Sequence, residues 1–217
     1  MRSVAEWLLA NGVGVLGQRI SWAELVGQLG ALAVVFFARR RSLIAWPVQI
    51  AATLLLLTVY SGAHLGGLAA RQVVILLISL HGLASWYRRQ DPKFGVPVRY
   101  ARRSERLGLL GALVGATTAF ALVLGALHAS WAPWPDAWIF VGTALAFWAQ
   151  ARGLVDFWFL WLAVDAVGVP LQLASGLWFS AAIYLVFVAL VVHGWWSWHR
   201  TARARPGTAD SQGAGRV

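Results

Sequence analysis

Residues 81–86 read HGLASW, and residues 193–198 read HGWWSW. Both fit H-G-x-x-S-W, and the second begins 112 positions after the first. Carrying the same shift backwards tests whether one unit has been used twice. Trp22 and Glu24 meet Trp134 and Asp136 in a W-x-acid pattern, Gly30 meets Gly142, Arg40 meets Arg152, and Trp46 meets Trp158. Any single match is unremarkable in a chain rich in Trp and Gly, but these share one ungapped register across three apolar runs. The chain reads as a duplicated three-helix unit.

Composition identifies the solvent. Of 217 residues, 59% are hydrophobic and 12% charged, and 14 are Trp. A soluble domain carries about 25% charged residues, so this balance points to a bilayer. The absence of Cys excludes disulfides, thiolate catalysis and Cys-ligated metal. Apolar runs fall at 21–38, 43–60, 67–87, 107–127, 136–150, 154–173 and 178–198. Each can be extended to the ~17–25 residues of a spanning helix, although 136–150 is short unless it reaches past Arg152. The first twenty residues hold Glu6 inside a Gly-interrupted apolar run, a poor signal peptide and a better surface-lying amphipathic segment. The tail 201–217 reads as disordered and basic.

The net charge of +10 would suggest nucleic-acid binding in a soluble protein. Its placement argues otherwise. With the N-terminus outside, fifteen of the 18 basic residues fall on the inner side, two (Arg2 and Arg19) outside, and Arg71 lies near the start of the third span. That bias is a topology signal, and no nucleic-acid partner is expected. Three helices reverse sides of a membrane, so two such units point the same way only with an extra helix between them. The run 107–127 fills that role. The expected fold is an all-α integral membrane protein of seven transmembrane helices in a 3+1+3 plan. It comprises a first repeat (21–88), a basic cytoplasmic loop (89–106), a linker helix (107–127) and a second repeat (134–200), with the N-terminus outside and the C-terminus cytoplasmic. Parallel repeats of this kind are a transporter plan, with substrate bound near mid-membrane between the halves.

Polar groups in hydrocarbon mark such a site, because an acid at the bilayer centre costs about 2.5–3.5 kcal/mol on insertion scales. Asp165 sits mid-way along the sixth run, and Trp158, Trp161 and Asp165 follow i, i+3, i+7 spacing on one helical face. Two indoles and a carboxylate suit a flat heteroaromatic ligand with polar edges. Alternatively, Asp165 pairs with another helix, Arg71 being the available cation, and the tryptophans are packing residues. Trp46, Gln49 and Thr53 repeat the spacing in the second run, with Tyr60 further along. Thr53 is the repeat partner of Asp165, and Gln49 of Trp161. The amides of Gln49, Gln72, Gln150 and Gln172 could read ligand edges or join helices. His81 and His193 could relay protons or pack at the interface, Glu24 and Asp136 could cap helices, and Gly111-x-x-x-Gly115 offers an oligomer contact, a trimer among the options. No metal cluster, phosphate loop or nucleophile–base pair is apparent, so neither an enzyme nor a bound cofactor is expected. A non-transporting membrane adaptor is the alternative from a different class.

The stretch AQARGLVDFWFLWLAVD (149–165), continued by VGVPLQLASGLWFSAAIYLVFVALVVHGW, resembles the PnuC family of vitamin transporters. The resemblance runs from about Trp22 to Trp198, and W-x-x-W-x-x-x-D with downstream Tyr184 is its most specific part. Within the family, ARGLVDFWFLWLAVDAVGVPL looks most like the actinobacterial riboflavin branch (RibM or PnuX). The resemblance implies a SWEET-like fold, a small-molecule vitamin as substrate and facilitated diffusion made one-way by intracellular phosphorylation. Riboflavin is the expected vitamin, with nicotinamide riboside or thiamine as alternatives. Large aromatics with few Asn, Ser or Thr beside them favour the larger ring.

Overall fold

The computed structural model describes residues 4–15, 18–62, 66–90, 96–174 and 178–203. A short helix α1 (Val4–Ala10) leads into a hairpin of β1 (Gly12–Val15) and β2 (Gln18–Ser21). Seven longer helices follow among the described residues: α2 (Trp22–Arg39), α3 (Ala45–Gly62), α4 (Gly66–Arg89), α5 (Arg103–Ala126), α6 (Pro133–Ala151), α7 (Phe157–Ala174) and α8 (Trp178–Arg203).

Where one amphipathic segment was expected, the described residues of this region form a helix and a hairpin. The glycines that interrupt the apolar run make the difference. A Cβ on Gly12 would lie 1.8 Å from the Ile20 carbonyl oxygen, so only glycine allows the strands to close there. The helix α1, with Val4 and Trp7 exposed, packs beside α2 and α3.

Among the described residues, four stretches are long and apolar enough to cross a membrane: Ala45–Gly62, Ala69–Arg89, Arg103–Ala126 and Ala181–Arg203. The helices α2 and α7 hold shorter apolar stretches, Leu25–Arg39 and Phe157–Leu171. The helix α6 reaches 19 residues by beginning at Pro133, not by passing Arg152, which is its C-cap. Proline suits a first turn because its missing N–H has no helical partner there anyway. Asp136 is not the N-cap of α6. That position is Ala132, and Asp136 accepts a hydrogen bond from the Ser130 hydroxyl inside the first turn. The Glu24 side chain, residues 91–95 of the basic loop and the tail from 204 lie outside the described residues.

Several contacts recur in the two halves between residues 112 positions apart. Neighbours α2–α3–α4 recur as α6–α7–α8, and the halves meet through α4 against α6 and α2 against α8. A Cβ on Gly82 would come within 2.3 Å of the Trp46 ring, and one on Gly194 within 2.3 Å of the Trp158 ring. This explains the glycine of H-G-x-x-S-W: it is the floor on which the second helix of each repeat rests its indole. The tryptophan of the motif crosses to the other half. Trp86 Nε1 donates to the Gln150 carbonyl at 3.0 Å, and Trp198 Nε1 donates to the Ala38 carbonyl at 3.1 Å. Trp46 stands edge-on to Trp86 (5.4 Å, 88°) and Trp158 edge-on to Trp198 (5.9 Å, 89°). All four indoles are fully buried.

The turns match as well. Arg41 and Gly153 are both left-handed, with φ of 55° and 70°. Each donates its N–H 2.9 Å to the carbonyl three residues back, at Ala38 and Gln150. A non-glycine residue is strained at such a φ, and the second copy has the glycine for a reason. A Cβ on Gly153 would lie 2.6 Å from the Pro97 carbonyl oxygen, because the segment before α5 lies across this turn. Arg99 exchanges backbone hydrogen bonds with Gly153 and Val155, and Asp156 accepts from the Ala101 N–H (2.7 Å) and pairs with Arg106 (2.6 Å). The basic loop is thus docked over its last residues.

The glycine floors generate a test. Gly82→Ala and Gly194→Ala should each lower the melting temperature of the purified protein, since overpacking a fitted contact costs about 1–3 kcal/mol. Gly111→Ala, where a Cβ meets nothing within 4 Å, should leave it unchanged or raise it, because alanine is the better helix former by up to about 1 kcal/mol. Equal effects at all three positions would refute the packing role.

Candidate functional site

A cavity of about 220 Å³ lies between α2, α3 and α4 on one side and α6, α7 and α8 on the other. Fourteen of its eighteen described lining residues form seven pairs related by the 112-residue shift. Those that matter chemically are Ala31 with Thr143, Gln49 with Trp161, Thr53 with Asp165, Gln72 with Tyr184 and Ile75 with Phe187. The cavity is built from equivalent positions of the two halves, but the halves supply different chemistry.

The first half provides a polar wall. On α3, the Gln49 amide donates to the Thr53 hydroxyl at 2.9 Å, an i, i+4 pair with Thr53 fully buried. Gln28 on α2 and Arg71 and Gln72 on α4 extend this wall. The second half provides an aromatic one. Phe147 on α6 stands edge-on to Trp161 on α7 (5.3 Å, 88°), and Trp161 is 6.2 Å from Phe187 on α8. Tyr184 packs against α7, where a Cβ on Gly168 would come within 2.7 Å of its ring. Asp165 sits among these rings, only 3% exposed, and its Oδ2 has no hydrogen-bond partner in the protein.

Gln49, Trp161, Asp165 and Tyr184, expected from the sequence, are brought together on this cavity. Four others are not. Trp158 shares a helical face with Asp165, but seven residues of helix separate them by about 10 Å, which puts Trp158 at the level of Gly194 and under α8. Trp46 is seated on Gly82 in the same way. Gln150 is buried at the end of α6, where its backbone carbonyl serves Trp86 and its amide nitrogen has no partner. Tyr60 lies beyond the cavity along α3. The Gln172 side chain is outside the described residues, and His81 and His193 are exposed on the outer faces of α4 and α8.

The carboxylate is not neutralised by its nearest candidate. The ion pairs Arg99–Glu105 and Arg106–Asp156 do not involve it. Arg71 and Asp165 line the same cavity without pairing, and the Arg71 Nε is also without a hydrogen-bond partner. Arg71, Phe147 and Phe187 were not singled out as wall residues by sequence. The repeat shift offered a signal for Phe187 through Ile75, and for Tyr184 through Gln72, but nothing of the kind for Arg71 or Phe147.

Residues 21–200 match the model of the nicotinamide mononucleotide transporter family. The chain belongs to this family. As a family member it is a membrane transporter, not an enzyme. It is 43% identical over 196 residues to the riboflavin/roseoflavin transporter RibM of Streptomyces davaonensis, an alignment covering 88% of this chain and 92% of that protein. Its fold is similar to the crystal structure of the vitamin B3 transporter PnuC, with a TM-score of 0.68 at 17% identity, covering 85% of this chain and 83% of the other.

Asp165→Asn tests the unpaired carboxylate. Removing one member of a buried ion pair usually costs 3–5 kcal/mol. Since Asp165 and Arg71 do not pair, the ligand-free variant should melt at or above the temperature of the parent protein. A clear drop would show that the two charges depend on each other.

Proposed function

We propose that this protein carries riboflavin across the cell membrane by facilitated diffusion, with intracellular phosphorylation trapping the vitamin. The observation that supports this most is the division of the cavity into a polar wall and an aromatic wall. The flavin ring is flat, apolar at its dimethylated edge and hydrogen-bonding at its pyrimidine edge. Trp161, Phe147 and Phe187 would pack against the ring, while Gln49, Gln72 and Arg71 read the polar edge and Asp165 accepts from ligand hydroxyl or N–H groups. The 43% identity to a riboflavin/roseoflavin transporter over most of both chains supports the same substrate.

The charge balance weighs against a nucleotide. Among the described residues, the charged side chains lining the cavity are Arg71 and Asp165, and one cation beside one acid is poor compensation for a phosphate dianion. Nicotinamide riboside and thiamine lack that objection and serve as competitors in the test. At about 220 Å³ the cavity is below the ~300–1,000 Å³ of typical small-molecule sites, so the helices part to load the ring. Transport by alternate opening of two halves requires this.

The membrane arrangement belongs to the same proposal. The helices α2–α4 and α6–α8 form two parallel three-helix repeats (21–88 and 134–200) joined by α5 as linker (107–127). The N-terminus is outside and the C-terminus inside, supported by the fifteen-to-two distribution of basic residues. A reporter fused after Arg200 should behave as cytoplasmic. An outside signal there would overturn the parallel-repeat plan.

Binding and uptake test the substrate. Purified protein should bind riboflavin in preference to nicotinamide riboside and thiamine. Base–aromatic stacking is worth about 1–3 kcal/mol, so Trp161→Ala should weaken binding on the order of tenfold to a hundredfold while the protein still inserts. Asp165→Asn should weaken it without the apo destabilisation discussed above. The sequence carries no G-x-x-x-x-G-K-[ST] motif, and uptake should continue without nucleotide and without response to a protonophore. Accumulation of unmodified vitamin that collapses with a protonophore would reassign Asp165 to proton coupling.

A further inference from the structure

A second concavity lies on the outside of the bundle, between the first turns of α5 and the last turns of α6. It is a groove of about 430 Å³ with a charged mouth and an apolar trough. Arg152 stands at the mouth, its guanidinium 4.7 Å above the Trp148 ring. From there the lining changes to Gly108, Leu109, Ala112 and Leu145. Glu105 to Ala112 is seven residues, so the trough runs about 10 Å along the helix. A charged head followed by an apolar channel of that depth is the complement of an amphiphile.

The charge at the mouth is unbalanced. Glu105 also lines it, but its carboxylate already accepts from Arg99 twice, both at 2.7 Å, and from the Arg102 N–H at 2.8 Å. Asp156 is occupied by Arg106 and the Ala101 N–H. Arg89 hydrogen-bonds the Arg152 and Ala151 carbonyls, which holds a further cation beside Arg152. Arg152 has Trp148 beneath it and no acid of its own among the described residues. The trough floor is open as well: a Cβ on Gly108 would meet nothing within 4 Å.

We infer that this groove binds an anionic phospholipid, with its phosphate at Arg152 and an acyl chain along Gly108 and Ala112. Basic pockets between membrane helices are known to hold acidic headgroups. The inference rests on the protein's place in a bilayer and on neither its substrate nor its orientation. The repeat supplies an internal control. Arg40 stands over Phe36 at 4.4 Å, the equivalent of Arg152 over Trp148, but α5 has no counterpart in the first half to form a trough there.

The test is native mass spectrometry of delipidated full-length protein titrated with phosphatidylglycerol, phosphatidylcholine or inorganic phosphate, with oligomeric state read in the same spectra. Phosphatidylglycerol should be retained in preference to phosphatidylcholine. Arg152→Gln should reduce that retention about fivefold, the effect of losing one basic contact with an acidic headgroup, and Arg152→Lys should keep most of it. Gly108→Leu, which fills the trough and leaves the charges in place, should reduce it too, so the inference stays testable if an Arg152 variant fails to fold. Arg40→Gln should have no effect. Several results would overturn the inference: equal retention of phosphatidylcholine, phosphate competing as well as the lipid, or equal loss in Arg40→Gln. So would Gly108→Leu dissociating an oligomer with lipid retention unchanged, which would assign the groove to a second copy of the chain.

Discussion

Two hydrogen bonds hold the halves of this protein in register. Trp86 reaches from the first half to the Gln150 carbonyl, and Trp198 reaches back from the second to the Ala38 carbonyl. Donors and acceptors are both 112 positions apart, so the exchange is reciprocal. Each bond brings a second donor to a carbonyl at the end of a first-repeat or second-repeat helix that already accepts from the turn after it, at Arg41 or Gly153. The exchange therefore ties the C-terminal ends of α2 and α6 to the opposite halves. Four indoles, packed edge-on and tilted against one another, then fill the space around the bonds, and only glycine at positions 82 and 194 leaves room for two of them.

That plug of indoles closes one end of the space between the halves and leaves the cavity beyond it. Within the cavity the symmetry is of position and not of chemistry. Gln49, Thr53 and Gln72 on one side face Trp161, Asp165 and Tyr184 in the equivalent places. A ligand with no symmetry of its own needs such divergence, because a strictly repeated site would present the same group to both of its edges. The outer surface diverges too. Ile44 is 52% exposed while its counterpart Asp156 is 8% exposed and engaged by Arg106 and Ala101. The segment before α5 has to land somewhere, and the acid fixes it on the second half. Gly153 replaces the strained Arg41 where the chain at Pro97 comes closest.

Much of this was legible before any coordinates. The repeat, its 112-residue register and the importance of H-G-x-x-S-W followed from spacing alone, because duplicated packing preserves the small and large residues that must meet. Gln49, Trp161 and Asp165 were also legible as polar and aromatic groups out of place in apolar helices, and Tyr184 through the family resemblance. Helical periodicity, however, gives direction around an axis and says little about depth between neighbours. Trp46 and Trp158 have the right direction, yet they meet the glycine floors of α4 and α8 about one turn before the lining of the cavity begins at Gln49 and Trp161.

The sequence by itself determined that the chain is a duplicated, helical, membrane-suited protein, since composition and repeat spacing are properties of the chain alone. It also left Asp165 with two candidate partners. The tertiary structure decided that Arg71 stands across a shared cavity from it rather than in an ion pair, that one wall is polar and the other aromatic, and that the basic segment before α5 is clamped to one half. These depend on which helices become neighbours and at what height. That is set by the fit of indoles on glycines between residues far apart in the chain, and no local pattern encodes it.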